Sequence, residues 1–536
     1  MSDAPDGAPA SLTRSVAGMG AAAAISRAFG GLRMVVIAAV LGTTYLGNAF
    51  QASNSFSNVL FELLAAGALS AVLVPTFVQL LARGEERRLE EIAGGVLSLA
   101  LVGLGAVSLV GVVLAPQIAQ LLTSGVADPA IAADQQALAT YLLRFFIPQV
   151  LFYAVGAVAI GLLHARSKFA ITAIAPIGNT VLLVASMVVF HAMAGGHPGL
   201  DLSHAERLTL AAGGTLGVVA FVGIPVVGLH LDGFRWRLGV RRAVGDEEVR
   251  RLVRLSGWAV LQHSGIGILL IAALIVSGGV AGGVVAYQLA MVVFLAPYGI
   301  LAQPIHTAVL PRLASDHAAG DTAGMHLALR WAVDALVVVT LPVAGLLVAL
   351  AQPAMRVLAF GEAGRGGGPA LLAASLAGLA LGVPVYGGFL LLTRAAYAMG
   401  DSRNPALAAL GSSILGAAGM VAVGVMADGR GLLFGLGLAH TGAYLIGMVW
   451  LGGRLRPEVG TLIGVGQLRP LLLAVAVAGV AWLAMRAWSP DGRVVTMVGL
   501  TLIVGASLGV YVAGLRALGA LPGRAPAGFR STGATA

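Results

Sequence analysis

Apolar stretches of twenty or more residues recur along the whole 536-residue chain, separated by short polar connections. About twenty such residues make a helix long enough to cross the hydrocarbon of a bilayer. Inside a membrane every backbone N–H and C=O must be bonded within the protein, and runs this long meet that demand as helices. Composition agrees: 58% of the residues are hydrophobic and 10% charged, against about 25% charged in a soluble domain. The expected fold class is therefore an all-α polytopic membrane protein.

Fourteen spans can be marked, near residues 15–41, 46–81, 91–122, 136–163, 169–193, 206–229, 250–278, 281–314, 326–352, 369–398, 404–427, 431–453, 469–488 and 494–517. Their connections alternate between two sets. One set, from Arg83 to Arg456, holds sixteen Lys and Arg residues; the other holds five, Arg207, Arg356, Arg365, Arg430 and Arg493. Cytoplasmic connections carry the excess of Lys and Arg, so the first set and both termini are expected in the cytoplasm. The net charge of +9 does not imply nucleic-acid binding, because the arginines lie in these connections and form no basic domain. Cysteine is absent, which removes disulfides and Cys-ligated metals. The N-terminal stretch lacks the basic start of a secretory signal, and its first apolar run continues through Arg27 and Arg33 without a cleavage-like end. The outer connections are too short to house catalysis and pair no two carboxylates with a nucleophile, so a transporter is expected rather than an enzyme. No cofactor or metal site is expected.

An internal repeat organises the spans. Pro75 in AVLVPTF matches Pro311 in TAVLPRL, and Pro148 matches Pro384, both at an offset of 236 residues; HARSK at 164–168 and MGDSR at 399–403 match at 235. The expected domains are a cytoplasmic N-tail 1–14, an N-lobe 15–229, a basic linker 230–249, a C-lobe 250–453, an added pair of spans within 469–517, and a C-tail 518–536. Six spans per lobe make the repeats parallel, with binding at their interface and alternating access as the expected mechanism.

The second span carries a polar stripe, Asn48, Gln51, Ser55, Asn58 and Glu62, spaced 3, 4, 3 and 4 apart. That spacing places all five on one helix face over about 21 Å. An intramembrane acid costs about 3 kcal/mol on insertion scales, so Glu62 is expected to face a water-filled cavity or a buried partner. The alternative for the row is helix glue through hydrogen bonds. Arg27 and Arg33 on the first span could clamp an anionic headgroup, since guanidinium grips phosphate oxygens at two points, or one could pair with Glu62. His263, beside Gln262 at the repeat position of Ser26 and Arg27, and Gln288 on the eighth span complete the candidate cavity wall. Gln303 and His306 also lie on the eighth span, and Asp334 could pair with Arg330. Arg144 is expected to snorkel.

SRAFGGLR, NAFQASNSFSNVLFELLAAGALSAVLVPTF, AYQLAMVVFLAPYGILAQPIHTAVLPRLASDHAAGD and LLTRAAYAMGDSRNP resemble the MurJ/MviN family of lipid II flippases, over roughly 15–455. That resemblance implies two six-helix lobes in a V, a central cationic cavity, and a groove from the last two helices for a lipid tail. It implies as substrate a polyprenyl-pyrophosphoryl disaccharide-pentapeptide, with membrane lipids and cell-wall synthesis proteins as further partners. Arg27 and Arg33 fall on the family's two first-helix arginines. The chain departs from the family pattern at Met34, Asn48, Phe61, Glu62 and Val292, where the family commonly carries charged residues, so its cavity is less cationic. The acids of a sodium site found in some members are missing. Other readings are a relative exporting another lipid-linked glycan or amphiphile, and a non-transporting cell-wall scaffold.

Overall fold

The computed structural model describes residues 28–62, 67–196, 198–255, 257–462, 464–488 and 491–523, and these contain helices and no strands. The N-terminal half comprises α1 (Ala28–Leu41), α2 (Tyr45–Phe61), α3 (Gly67–Ala82), α4 (Glu86–Val113), α5 (Ala115–Leu122), α6 (Pro129–Phe146), α7 (Gln149–Ala165), α8 (Phe169–Met193) and α9 (His204–Leu231). Two short helices, α10 (Val240–Gly245) and α11 (Glu247–Leu255), lead into the second half. That half comprises α12 (Gly257–Gly278), α13 (Gly283–Pro297), α14 (Gln303–Ala318), α15 (Thr322–Ala349), α16 (Ala351–Leu358), α17 (Gly368–Ala380), α18 (Val383–Ala398), α19 (Arg403–Met426) and α20 (Gly429–Val459). The hairpin of α21 (Leu468–Trp488) and α22 (Arg493–Ala517) packs on α15.

Among the described residues ten helices are long and apolar enough to cross a membrane, and the bent pair α17–α18 makes an eleventh. Three shorter apolar helices, Ala28–Leu41, Leu73–Ala82 and His263–Gly278, fall where the expected first, second and seventh spans lie. This is a multi-pass membrane protein. Several spans are broken where their sequence demands it. Pro148 ends α6 and starts α7, because proline cannot donate the next helical hydrogen bond. Pro384 begins α18 after a 43° bend from α17. A π-helical turn at Tyr298–Ala302, between Pro297 and Pro304, joins α13 to α14.

The first residues expected in the seventh span instead belong to α11, which the linker holds against the N-terminal half. Arg88 bonds both carboxylate oxygens of Asp246, at 2.6 and 3.0 Å, and Arg237 bonds Glu90 at 2.7 Å. Phe234, Ala243, Val249 and Leu252 then add to the apolar core beneath.

The two halves meet at the end that holds the 42–44 and 279–282 connections and is expected to face outward, and further along α3 packs on α12. At the outward end one hydrophobic core runs without a break from α1, α2, α5 and α6 into α12, α13, α15 and α17. Toward the other end, α3, α4, α7 and the linker build a separate core containing none of the residues of the second half. Glycines allow the close end to close. Gly282 has φ +72°, and a methyl group there would overlap the backbone of Thr43. Gly125 stands against Gly279, with 3.1 Å between the place of a Cβ and the opposing Cα.

Candidate functional site

The stripe on α2 divides along its length. Asn48 is fully buried: its amide nitrogen donates to the carbonyls of Gly278 at 3.3 Å and Val280 at 2.7 Å, and its oxygen accepts from the Val284 N–H at 3.0 Å. Val284 follows Asn48 by 236 residues, the offset of the proline pairs, so the residue bonds its own counterpart in the repeat. Gln51, also buried, turns back to α1 and donates to the Met34 sulfur at 3.2 Å. Ser55 accepts from Gln288 on α13 at 2.9 Å. These three candidates and Gln288 are therefore engaged in the seam between halves or inside the first half, where a continuous polar track along a cavity was expected.

Asn58 is half-buried and Glu62 is exposed at the end of α2, beyond the seam. Glu62 stands within electrostatic reach of two groups from the other half, His263 on α12 and Tyr386 on α18. Arg394, also on α18, is half-buried and lies within reach of Tyr386 and of His306 on α14. Glu62 and Arg394 thus face the same tyrosine from opposite halves. Behind Tyr386 an aromatic run enters the second half. Its ring centroid lies 4.9 Å from that of Tyr298 on the π-turn and 4.7 Å from that of Tyr444. Tyr444 bonds His440 at 2.9 Å, and His440 bonds Tyr287.

Arg33 lies on the wall of the first half, within reach of Tyr153 on α7. Among the described residues it forms no ion pair, and its Nε is buried without a hydrogen-bond partner. The pairing of Arg33 with Glu62 that the sequence allowed is absent. A guanidinium held this way lacks the counter-charge that an anion would supply. Val292 packs 3.8 Å from the place of a Cβ on Gly31, two residues before Arg33 and so on the other side of α1 from it. Arg27 lies outside the described residues, and the Gln262 side chain is not described.

Sequence reading missed Arg394, Tyr386, Tyr298, Tyr444 and His440. Arg394 is the signal that could have been found, an arginine within an apolar span. The expected Asp334–Arg330 pair is also corrected: Asp334 accepts from Gln467 at 2.7 Å, which ties the approach to α21 onto α15. Arg144 is exposed, as a snorkelling residue would be.

Comparison with known proteins fits this geometry. The family profile described as Lipid II flippase MurJ matches residues 37–502. The chain belongs to the MurJ family. Relatives within it include the probable lipid II flippase MurJ of Rhizobium tropici, 26% identical over 74% of this chain and 72% of that protein. That of Rickettsia prowazekii is 22% identical over 73% and 74%. Among solved structures, a lipid II flippase MurJ in an inward closed conformation superposes with TM-score 0.74 over 93% of this chain and 99% of its own, at 18% identity. An inward-facing multidrug resistance MATE family transporter of the MOP superfamily superposes at 0.64, with 14% identity over 81% of this chain and 96% of its own. Membership of the MurJ family makes the chain a transporter and not an enzyme.

Proposed function

We propose that the chain flips lipid II, the lipid-linked peptidoglycan precursor, from the cytoplasmic to the outer leaflet by alternating access. The observation that carries this reading, beside family membership, is Arg33: a guanidinium on α1 that forms no ion pair among the described residues and leaves a buried Nε without a hydrogen-bond partner. The headgroup and its pyrophosphate cannot cross about 30 Å of hydrocarbon unaided. Arg33, with Arg27, takes the pyrophosphate, and Asn58, Glu62 and His263 line the space for the headgroup. Asn48, Gln51, Ser55 and Gln288 act on the substrate indirectly, by holding the outer seam shut while it loads.

Both termini and the arginine-rich connections lie in the cytoplasm, so the separate core of the N-terminal half belongs to the inner side, and the cycle opens a cleft there to load the substrate. When the lobes rock, the outer seam parts and the inner ends approach. Glu62 and Arg394 then meet as carboxylate and guanidinium, closing the inner side. An apolar groove of about 470 Å³ in the inner half of the C-lobe suits the polyprenyl tail. It is lined by Leu336, Pro384, Met448 and Gly452, with Arg456 and Gln467 at its edge. Moving one charge through 100 mV is worth about 2.3 kcal/mol, so two negative charges moving outward gain roughly 4–5 kcal/mol. The membrane potential therefore suffices to drive the cycle.

Complementation of a bacterium depleted of its lipid II flippase tests the reading, with wild type and Arg33→Ala side by side. Rescue by wild type and not by the well-inserted variant is expected. Rescue by both removes the site; rescue by neither removes the substrate.

A further inference from the structure

A second cavity lies far from the cleft, between the α15–α16 corner of the C-lobe and the α21–α22 hairpin, with a volume of about 460 Å³. Two arginines from separate parts of the fold line it, Arg356 of α16 and Arg486 near the end of α21. Against them stands one carboxylate, Asp491. Gln352 and Thr496 add polar groups, and Trp482 forms an apolar wall. The Arg486 guanidinium sits 5.1 Å from the centre of the Trp482 ring. Trp482 and Trp488 are both exposed, as the tryptophans of a membrane-interface belt are. The cavity therefore stands at headgroup depth.

In the orientation proposed above this is the outer face, where connections are poor in arginine. Arg356, Arg365, Arg486 and Arg493 nonetheless collect at this one corner. Arg365 pairs with Glu362, Arg493 donates to the Ala359 carbonyl at 2.9 Å, and Arg486 rests on the Trp482 ring. A snorkelling arginine needs only water, and would not have to share a walled cavity with another. Convergence of Arg356 and Arg486 on one pocket, with an aromatic wall beside them, is the arrangement that recognises phosphate carried on a lipid. We propose that this cavity binds the phosphate of a lipid headgroup in the outer leaflet. The lipid is either bulk anionic phospholipid or a polyprenyl pyrophosphate after its release from the cleft. Both present the same chemistry, a phosphate oxygen group anchored to an apolar chain that rests against Trp482.

The test is binding by the full chain in phosphatidylcholine nanodiscs, read by native mass spectrometry with three probes: phosphatidylglycerol, farnesyl pyrophosphate and inorganic pyrophosphate. Arg356→Gln with Arg486→Gln should weaken at least one lipid probe about tenfold or more, while Arg365→Gln leaves all three unchanged. Loss for phosphatidylglycerol alone identifies bulk lipid, loss for farnesyl pyrophosphate alone identifies the transported class, and loss for both identifies a shared site. Equal binding by wild type and the double variant overturns the proposal, as does a loss confined to inorganic pyrophosphate. The Arg356→Lys, Arg486→Lys variant guards against misfolding, since it keeps both charges and should retain most of the binding. The chain has no cysteine, so Gln352→Cys can report the side: labelling by an impermeant maleimide from outside is expected, and labelling only from inside overturns the outer-leaflet assignment. Arg33→Ala should leave this binding intact, so the pocket and the transport reading fail separately.

Discussion

The two ends of α2 belong to one helix face yet live under different constraints. At the N-terminal end Asn48 has both amide atoms bonded across the interface, within a core continuous through both lobes. At the C-terminal end Glu62 is exposed, and the core on its side stops at its own lobe. The contrast separates a seam from a mouth. Polar groups in a seam confer register, because a slip leaves buried donors unmet. Polar groups at a mouth remain available to a ligand or to a partner that arrives only when the lobes move.

The severest way to break the contrast is Gly282→Ala. The added methyl overlaps Thr43 and sits at a φ that side chains rarely adopt, so the seam cannot close. Transport should vanish, and a cysteine at Ala49, buried in the wild type, should become labelled by an impermeant maleimide. Continued protection would show that the seam is not held by this contact. At the mouth, Glu62→Arg places like charge opposite Arg394 and should cut flipping about tenfold or more, with partial recovery in the Glu62→Arg, Arg394→Glu exchange. An exchange no better than the single variant removes the inner closure. The stripe itself supplies a smaller and sharper comparison. Asn48→Ala leaves two carbonyls and one N–H without their partner, about 1–3 kcal/mol per buried group. Ala49 labelling should then rise several-fold, while Asn58→Ala should change it less than twofold.

The smallest effect lies outside the membrane. Lys168 and Arg166 bond Asp232 and hold its carboxyl below the usual carboxylate range. A depressed carboxylate contributes stability above its unfolded-state pKa and loses it as pH falls through the folded value. Asp232→Asn should therefore lower Tm slightly at neutral pH, and the gap from wild type should close on acidification. A gap independent of pH would mean that packing, not charge, is what the residue supplies.

The apolar helical spans and the polar face were legible in the sequence because each follows from a local period. Depth and division were not. A 3-and-4 spacing fixes which residues share a face and is silent on where along that face the other lobe ends, so Asn48 and Glu62 read alike. Arg394 sits in LLTRAAYAMG, close to a polar connection, eight residues along α18 from Tyr386, and its reach to His306 depends on how α14 packs on α18. The run from Tyr298 through Tyr386 to Tyr444 joins three separate spans, and no spacing along the chain announces it. Gly282 was one glycine among 75 until Thr43 stood against it.

The bond between Asn48 and Val284 bears on how such a protein can be made. In an assembly of two identical subunits, a residue beside the twofold axis meets another copy of itself, so whatever stands there must tolerate its own likeness. Here the axis runs inside a single chain, and the two copies of that position can be edited independently. One became a side chain that reaches out, and the other needs only its backbone to be reached. Fusion of the halves thus permits a lock with a distinct bolt and socket, which no pair of identical chains could build at that place.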